Sequence, residues 1–171
     1  MAASGDLVRR ELIALLPRLR RFGRSLTRNA DEADDLVQNA LERALRNLDS
    51  WTPGTKLDAW MFRIMKNAWI DETRSRTVRA RVLAPPEAGE HVGSDGAGDM
   101  ETHLEAQAVR AAMEALPEEQ RLAVSLVLVE GMSYREAADM LDVPIGTLTS
   151  RLARGRAVIE LQLLGPLEEE K

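Results

Sequence analysis

Apolar residues recur along most of the chain at intervals of three and four, the spacing that lines up one face of an α-helix. Over residues 6–29, Leu12, Leu15, Leu16, Leu19 and Phe22 form such a stripe, with Pro17 inside it, so this helix is expected to bend or restart there. A second helix is expected over 31–48, with Asp31 as its cap and Glu32, Asp34 and Asp35 in its positive first turn. Residues 49–54 read as a loop turning at Pro53-Gly54, and a third helix starts at 55–58 and runs toward Arg79. In the last third, one helix ends near Leu116, and another opens at Pro117-Glu118-Glu119 and ends at Gly131. Ser133 and Glu136 have the spacing of a capping box for a short helix to Leu141. Asp142-Val143-Pro144 is a tight turn, and a final helix runs from Ile145 to about Leu164. No stretch alternates as a strand does. The predicted class is all-α.

The pattern breaks in the middle. Val82–Met100 holds Pro85, Pro86 and four of the eleven glycines with no apolar period. Such a stretch buries too little surface to offset its ordering entropy. We therefore read two small helical domains, 1–81 and 109–171, joined by a flexible acidic linker over 82–108.

Charge sharpens this division. The net charge of −5 hides a first part, 1–81, with 16 Lys/Arg against 11 Asp/Glu. Residues 82–108 hold six acids and no base, and 109–171 hold seven bases against eleven acids. With no cysteine, disulfides, thiolate zinc sites and cysteine nucleophiles are excluded. No run approaches the roughly 18 apolar residues of a membrane span, and the N-terminus lacks the apolar core of a signal peptide. The acids Asp31, Glu32, Asp34 and Asp35 suit helix capping and a solvated face better than a metal site. The only histidines, His91 and His103, have no partner ligands and are expected to be exposed. No nucleophile–base pair, phosphate-binding glycine loop or paired-carboxylate cleft is visible, so nothing supports an enzyme.

Two elements carry candidate chemistry. Helices at 133–141 and 145–160 separated by three residues have helix-turn-helix spacing. In the second, Ile145, Leu148, Leu152 and Ile159 fall on one side and Thr147, Ser150, Arg151 and Arg154 on the other. Small hydroxyls permit close approach, and arginine can bond guanine bidentately or hold a phosphate. In the helix at 57–79, Leu57, Trp60, Met61, Ile64 and Ala68 form one apolar side. Phe62, Arg63, Lys66, Trp69 and Ile70 fall largely on the other. Rings among cations suit a single strand of nucleic acid; equally, a helix apolar on both sides suits burial between neighbours.

The string ADEADDLVQNALERALRNLDSW, followed by GTKLDAWMFRIMKNAWIDETRSR, resembles the second conserved region of bacterial extracytoplasmic-function sigma factors. ALPEEQRLAVSLVLVEGMSYREAADMLDVPIGTLTSRLARGRAVI resembles their fourth region. The pattern is also similar to the general stress-response sigma factors of alphaproteobacteria. The resemblance implies a cytoplasmic subunit of core RNA polymerase that reads the −35 and −10 promoter elements, with no cofactor, small-molecule substrate or membrane insertion. It implies docking on the polymerase β′ clamp through Asp34, Asp35, Val37, Gln38, Leu41, Arg43 and Ala44, with the β flap as a second contact. It implies that Trp51 and Lys56, with Arg63, Lys66, Asn67, Arg74 and Arg76, hold the −10 element with a flipped-out base. Thr149, Ser150, Arg151, Arg154 and Arg156 match the family's −35-reading positions, so Thr147 and Thr149 divide the two lines of reasoning. Position 149 is often basic in relatives, and its threonine implies a different −35 preference. Control by an anti-sigma factor is implied too, with apolar surface near Leu12–Leu19 and Leu122–Val129 as its expected seat. Two alternatives are a stand-alone helix-turn-helix regulator, which leaves the first match unexplained, and a sigma-like decoy that sequesters an anti-sigma factor.

Overall fold

The computed structural model describes residues 2–83 and 100–165, with side chains from 5–83 and 102–165. Seven α-helices are described: α1 (Ala2–Leu26), α2 (Ala30–Arg46), α3 (Leu57–Val82), α4 (Met100–Glu114), α5 (Glu118–Val124), α6 (Tyr134–Leu141) and α7 (Ile145–Leu164). Among the described residues there is no strand. They divide into two compact units, one of 2–23 and 29–83 and the other of 24–28 and 100–165. Most of the expected linker lies outside the described residues. Its C-terminal end is a correction: residues 100–108 are helical, because no glycine or proline occurs between Gly98 and Pro117.

In the first unit, α1 continues through Pro17 instead of restarting. Pro17 and Ile13, whose carbonyl it leaves without a helical donor, are both exposed, where water takes up the lost hydrogen bond. The cap of α2 is Asn29, two residues before the expected Asp31; its Oδ1 accepts from the Glu32 amide at 2.8 Å. Leu12, Leu19 and Phe22 of α1, Leu36 and Ala40 of α2, and Met61 and Met65 of α3 form the buried centre. Gly23 lets α1 and α2 approach: a Cβ there would stand 3.3 Å from the Ala33 carbonyl oxygen.

Phe62 and Trp69 belong to this core, at 0% and 4% exposure. Phe62 meets Phe22 edge to face, centroids 5.1 Å apart at 78°. Arg18 lies 5.1 Å over the Phe62 ring and donates to Asp58 at 3.0 Å. Of the two readings open for these rings, burial between neighbouring helices is the one the structure shows.

In the second unit, Met113 of α4, Leu116 of the turn after it, Val124 of α5 and Leu152 of α7 form one buried cluster. Arg121 joins α5 to the end of α4, its Nη2 donating to the carbonyls of Glu114 at 2.6 Å and Leu116 at 3.1 Å. Burial lowers its pKa from the ordinary guanidinium value, while Glu114 and Glu118 act to raise it. After α5 the expected helix widens into a π turn over Ser125–Val129, and Gly131, at φ 71°, ends it.

Gly155 is buried where α7 crosses α5, and a Cβ there would stand 2.8 Å from Val124 Cγ2. Valine is stiff at χ1, so it cannot swing away. Gly155→Ala is expected to destabilise the second unit by about 1–2 kcal/mol, overpacking outweighing the gain in helix propensity. Gly146→Ala, which meets nothing within 4 Å, should stabilise it by about 0.5 kcal/mol. Thermal unfolding of both variants checks this; a Gly155→Ala chain as stable as wild type would contradict the packing.

Candidate nucleic-acid interface

The helix-turn-helix is set by local bonds. Ser133 Oγ accepts from the Glu136 amide at 3.2 Å, and the Glu136 carboxylate accepts from the Ser133 amide at 3.0 Å, completing the capping box. Asp142 ends α6 in the left-handed region, at φ 54° and ψ 49°, a conformation that aspartate tolerates better than most residues. The Val143 amide then bonds the Ala138 carbonyl at 3.1 Å, and Pro144 leads into α7.

On α7, Leu148 and Leu152 are buried at 0% and 2%. Ile145, expected beside them, is 52% exposed, because it lies at the first helical position before the turn is covered. Thr147, Ser150, Arg151 and Arg154 line one open groove of about 430 Å³, facing Pro117, Glu119 and Gln120. Arg151 Nη2 is 3.1 Å from Glu119 Oε2. Thr149 is exposed outside this lining, and its Oγ1 donates to the Ile145 carbonyl at 2.8 Å. Arg156 is exposed and also outside it.

In the first unit, Leu48–Ser50 form a 3-10 turn and Thr52 to Thr55 close a tight bend, with Gly54 at φ 89°. Trp51 is half-buried between them, and its buried Nε1 has no hydrogen-bond partner among the described residues. Lys56, Arg63, Asn67 and Arg74 are exposed, and Lys66 is partly covered. Arg76 lies 3.0 Å from Glu72 and 3.7 Å from Glu32. On α2, Asp34, Asp35 and Gln38 are exposed and Leu41 is half-covered. Arg43 bonds Asp71 at 3.0 Å and Asn39 at 3.0 Å. Val37 and Ala44, at 4% and 0% exposure, are in the core. That corrects their reading as docking contacts: they sit at the helical spacing that faces α1 and α3.

Comparison with known proteins agrees with this architecture. The family model for the Sigma2 domain of PhyR matches residues 12–66, and that for Sigma-70, region 4 matches 106–159. The ECF RNA polymerase sigma factor EcfG of Rhodopseudomonas palustris is 39% identical over 158 residues, 92% of this chain and 86% of that one. This chain belongs to the extracytoplasmic-function RNA polymerase sigma factors. SigM of Mycobacterium tuberculosis is 39% identical over 149 residues, covering 87% of this sigma factor and 72% of its own length. Among solved structures, the sigma factor RpoE of Bartonella quintana in complex with the anti-sigma factor NepR superposes with a TM-score of 0.73. It is 32% identical over 91% of this chain and 96% of that one.

Sequence reasoning about this sigma factor missed Glu119, Gln120 and Gly146 as groove residues. Glu119 is fully explained in the sequence as a first-turn acid, so nothing marked it as a partner for Arg151. His103 is partly covered, its Nε2 3.1 Å from Gln107 Nε2, and His91 lies outside the described residues. The expected apolar seats are largely core: Leu12, Leu19, Leu122 and Leu126 are buried. Leu12, Ile13 and Leu16 of the first expected seat line, with Arg9, Leu41 and Leu45, a groove of about 250 Å³ between α1 and α2, and Leu128 of the second seat is exposed. No described helix is long and apolar enough to cross a membrane.

Removing the capping box should loosen the helix-turn-helix. Ser133→Ala is expected to cost about 1 kcal/mol, read as a lower denaturation midpoint. Hydrogen exchange should quicken first in the opening turn of α6.

Proposed function

We propose that this sigma factor binds core RNA polymerase and directs it to promoters, α7 reading a duplex −35 element and the first unit holding a melted −10 strand. One observation carries the reading. Thr147, Ser150, Arg151 and Arg154 share a single groove on the second helix of a helix-turn-helix, with Arg154 free of any carboxylate partner among the described residues. Hydroxyls and arginines on that helix are the groups that reach base edges and phosphates in the major groove. Thr149 and Arg156 would then contact the backbone at the flank.

For the −10 element, Trp51, Lys56, Arg63, Lys66, Asn67, Arg74 and Arg76 are the proposed contacts. Exposed Arg63 and Arg74 hold strand phosphates, and Trp51 stands in the loop that precedes their helix. A base held out of the duplex cannot re-pair, which suits reading and opening in one step. Core polymerase docks on the exposed side of α2, through Asp34, Asp35, Gln38, Leu41 and Arg43. An anti-sigma factor occupies the apolar groove between α1 and α2; because Leu41 belongs to both surfaces, it excludes the polymerase. The resemblance to a sigma factor solved with NepR supports this partner. The site of action is the cytoplasm, where core polymerase works, and the net charge of −5 suits a subunit whose DNA affinity depends on that enzyme.

A sigma-like decoy is the second reading, favoured by the match of residues 12–66 to the Sigma2 domain of PhyR. Run-off transcription separates the two. Purified bacterial core polymerase with this chain should give discrete RNA 5′ ends from a fragmented genomic library, sharing two upstream elements. Arg154→Ala should weaken promoter-specific initiation by about 1–3 kcal/mol and leave core binding unchanged. No specific transcripts from folded protein and active core would contradict the proposal.

A further inference from the structure

We infer that Glu119 is a positioning residue for Arg151 and sets how sharply α7 discriminates one duplex sequence from another, a role that rests on α7 being the −35 reader. Glu119 stands in the first turn of α5, and its Oε2 meets Arg151 Nη2 at 3.1 Å. The carboxylate side chain is 69% exposed and the arginine side chain only 21%. Both line the groove that also holds Thr147, Ser150 and Arg154. A free arginine on a helix surface samples many rotamers and loses that freedom on binding. The ion pair takes the loss in advance. It engages one terminal nitrogen, and the remaining donors of the guanidinium fork stay available for a base edge.

The carboxylate has a second effect. It offsets the guanidinium charge, and so weakens attraction to phosphates, which is the same for every sequence. Orientation raises specific binding while charge cancellation lowers non-specific binding. The two act together on the ratio. The pair adds little to folding, since exposed ion pairs are weak.

The test uses the full chain, free and assembled with core RNA polymerase, and a duplex pool randomised across the −35 region. Selected and random duplexes are then compared for wild type, Glu119→Gln, Glu119→Asp and Arg151→Ala. Glu119→Gln should bind random duplex more tightly and lose roughly two- to fivefold in the ratio of selected to random binding. Glu119→Asp keeps the charge at the helix start but is one methylene short of Arg151. It should lose discrimination as well. A wild-type ratio in Glu119→Gln, or full discrimination in Glu119→Asp, would overturn the inference and leave Glu119 as a helix-end charge alone. If wild type enriches no sequence, or Arg151→Ala keeps the wild-type preference, the −35 reading itself fails and the inference with it.

Discussion

The close approach of α5 and α7 at Gly155 is the constraint on which the reading surface depends. With hydrogen in place of a methyl group there, Val124 can press into α7 and share a buried cluster with Leu152. That contact turns Leu148 and Leu152 inward and leaves Thr147, Ser150, Arg151 and Arg154 facing out. It also brings the first turn of α5 to the rim of the groove, where Glu119 reaches Arg151. A glycine in mid-helix costs about 1 kcal/mol in propensity; here that cost is exchanged for the position of a second helix.

The first unit solves a different problem. Its third helix is anchored in the core while cations stand on its exposed side. Phe62 and Trp69 do the anchoring from within, and Arg18 covers the Phe62 ring while pairing with Asp58. With the rings buried, Arg63, Asn67 and Arg74 are accessible on the exposed side of α3.

The helical class, the two-part organisation, the capping box and the turn at 142–144 were legible in the sequence, because each rests on local spacing. So were Ser150, Arg151 and Arg154, whose place follows from the period of one helix. What was not legible depends on contacts between helices. Phe62 and Trp69 look alike as stacking or core residues until the neighbouring helices are in place. Val37 and Ala44 resemble their exposed neighbours in any motif match, yet face inward. The widening at Ser125–Val129 has no marker, since its residues suit an ordinary helix. Asn29 was passed over as a cap because Asp31 sits two residues away with equal capacity.

The central claim is that α7 carries the duplex-reading face while the chain is bound to core polymerase. Site-specific photocrosslinking from position 150 of the full chain, assembled with core on transcribed DNA, tests this most directly. The account predicts crosslinks confined to one short duplex element at a fixed distance upstream of the start site, lost when that element is scrambled. Crosslinks spread evenly along the DNA, or confined to polymerase subunits, would contradict it.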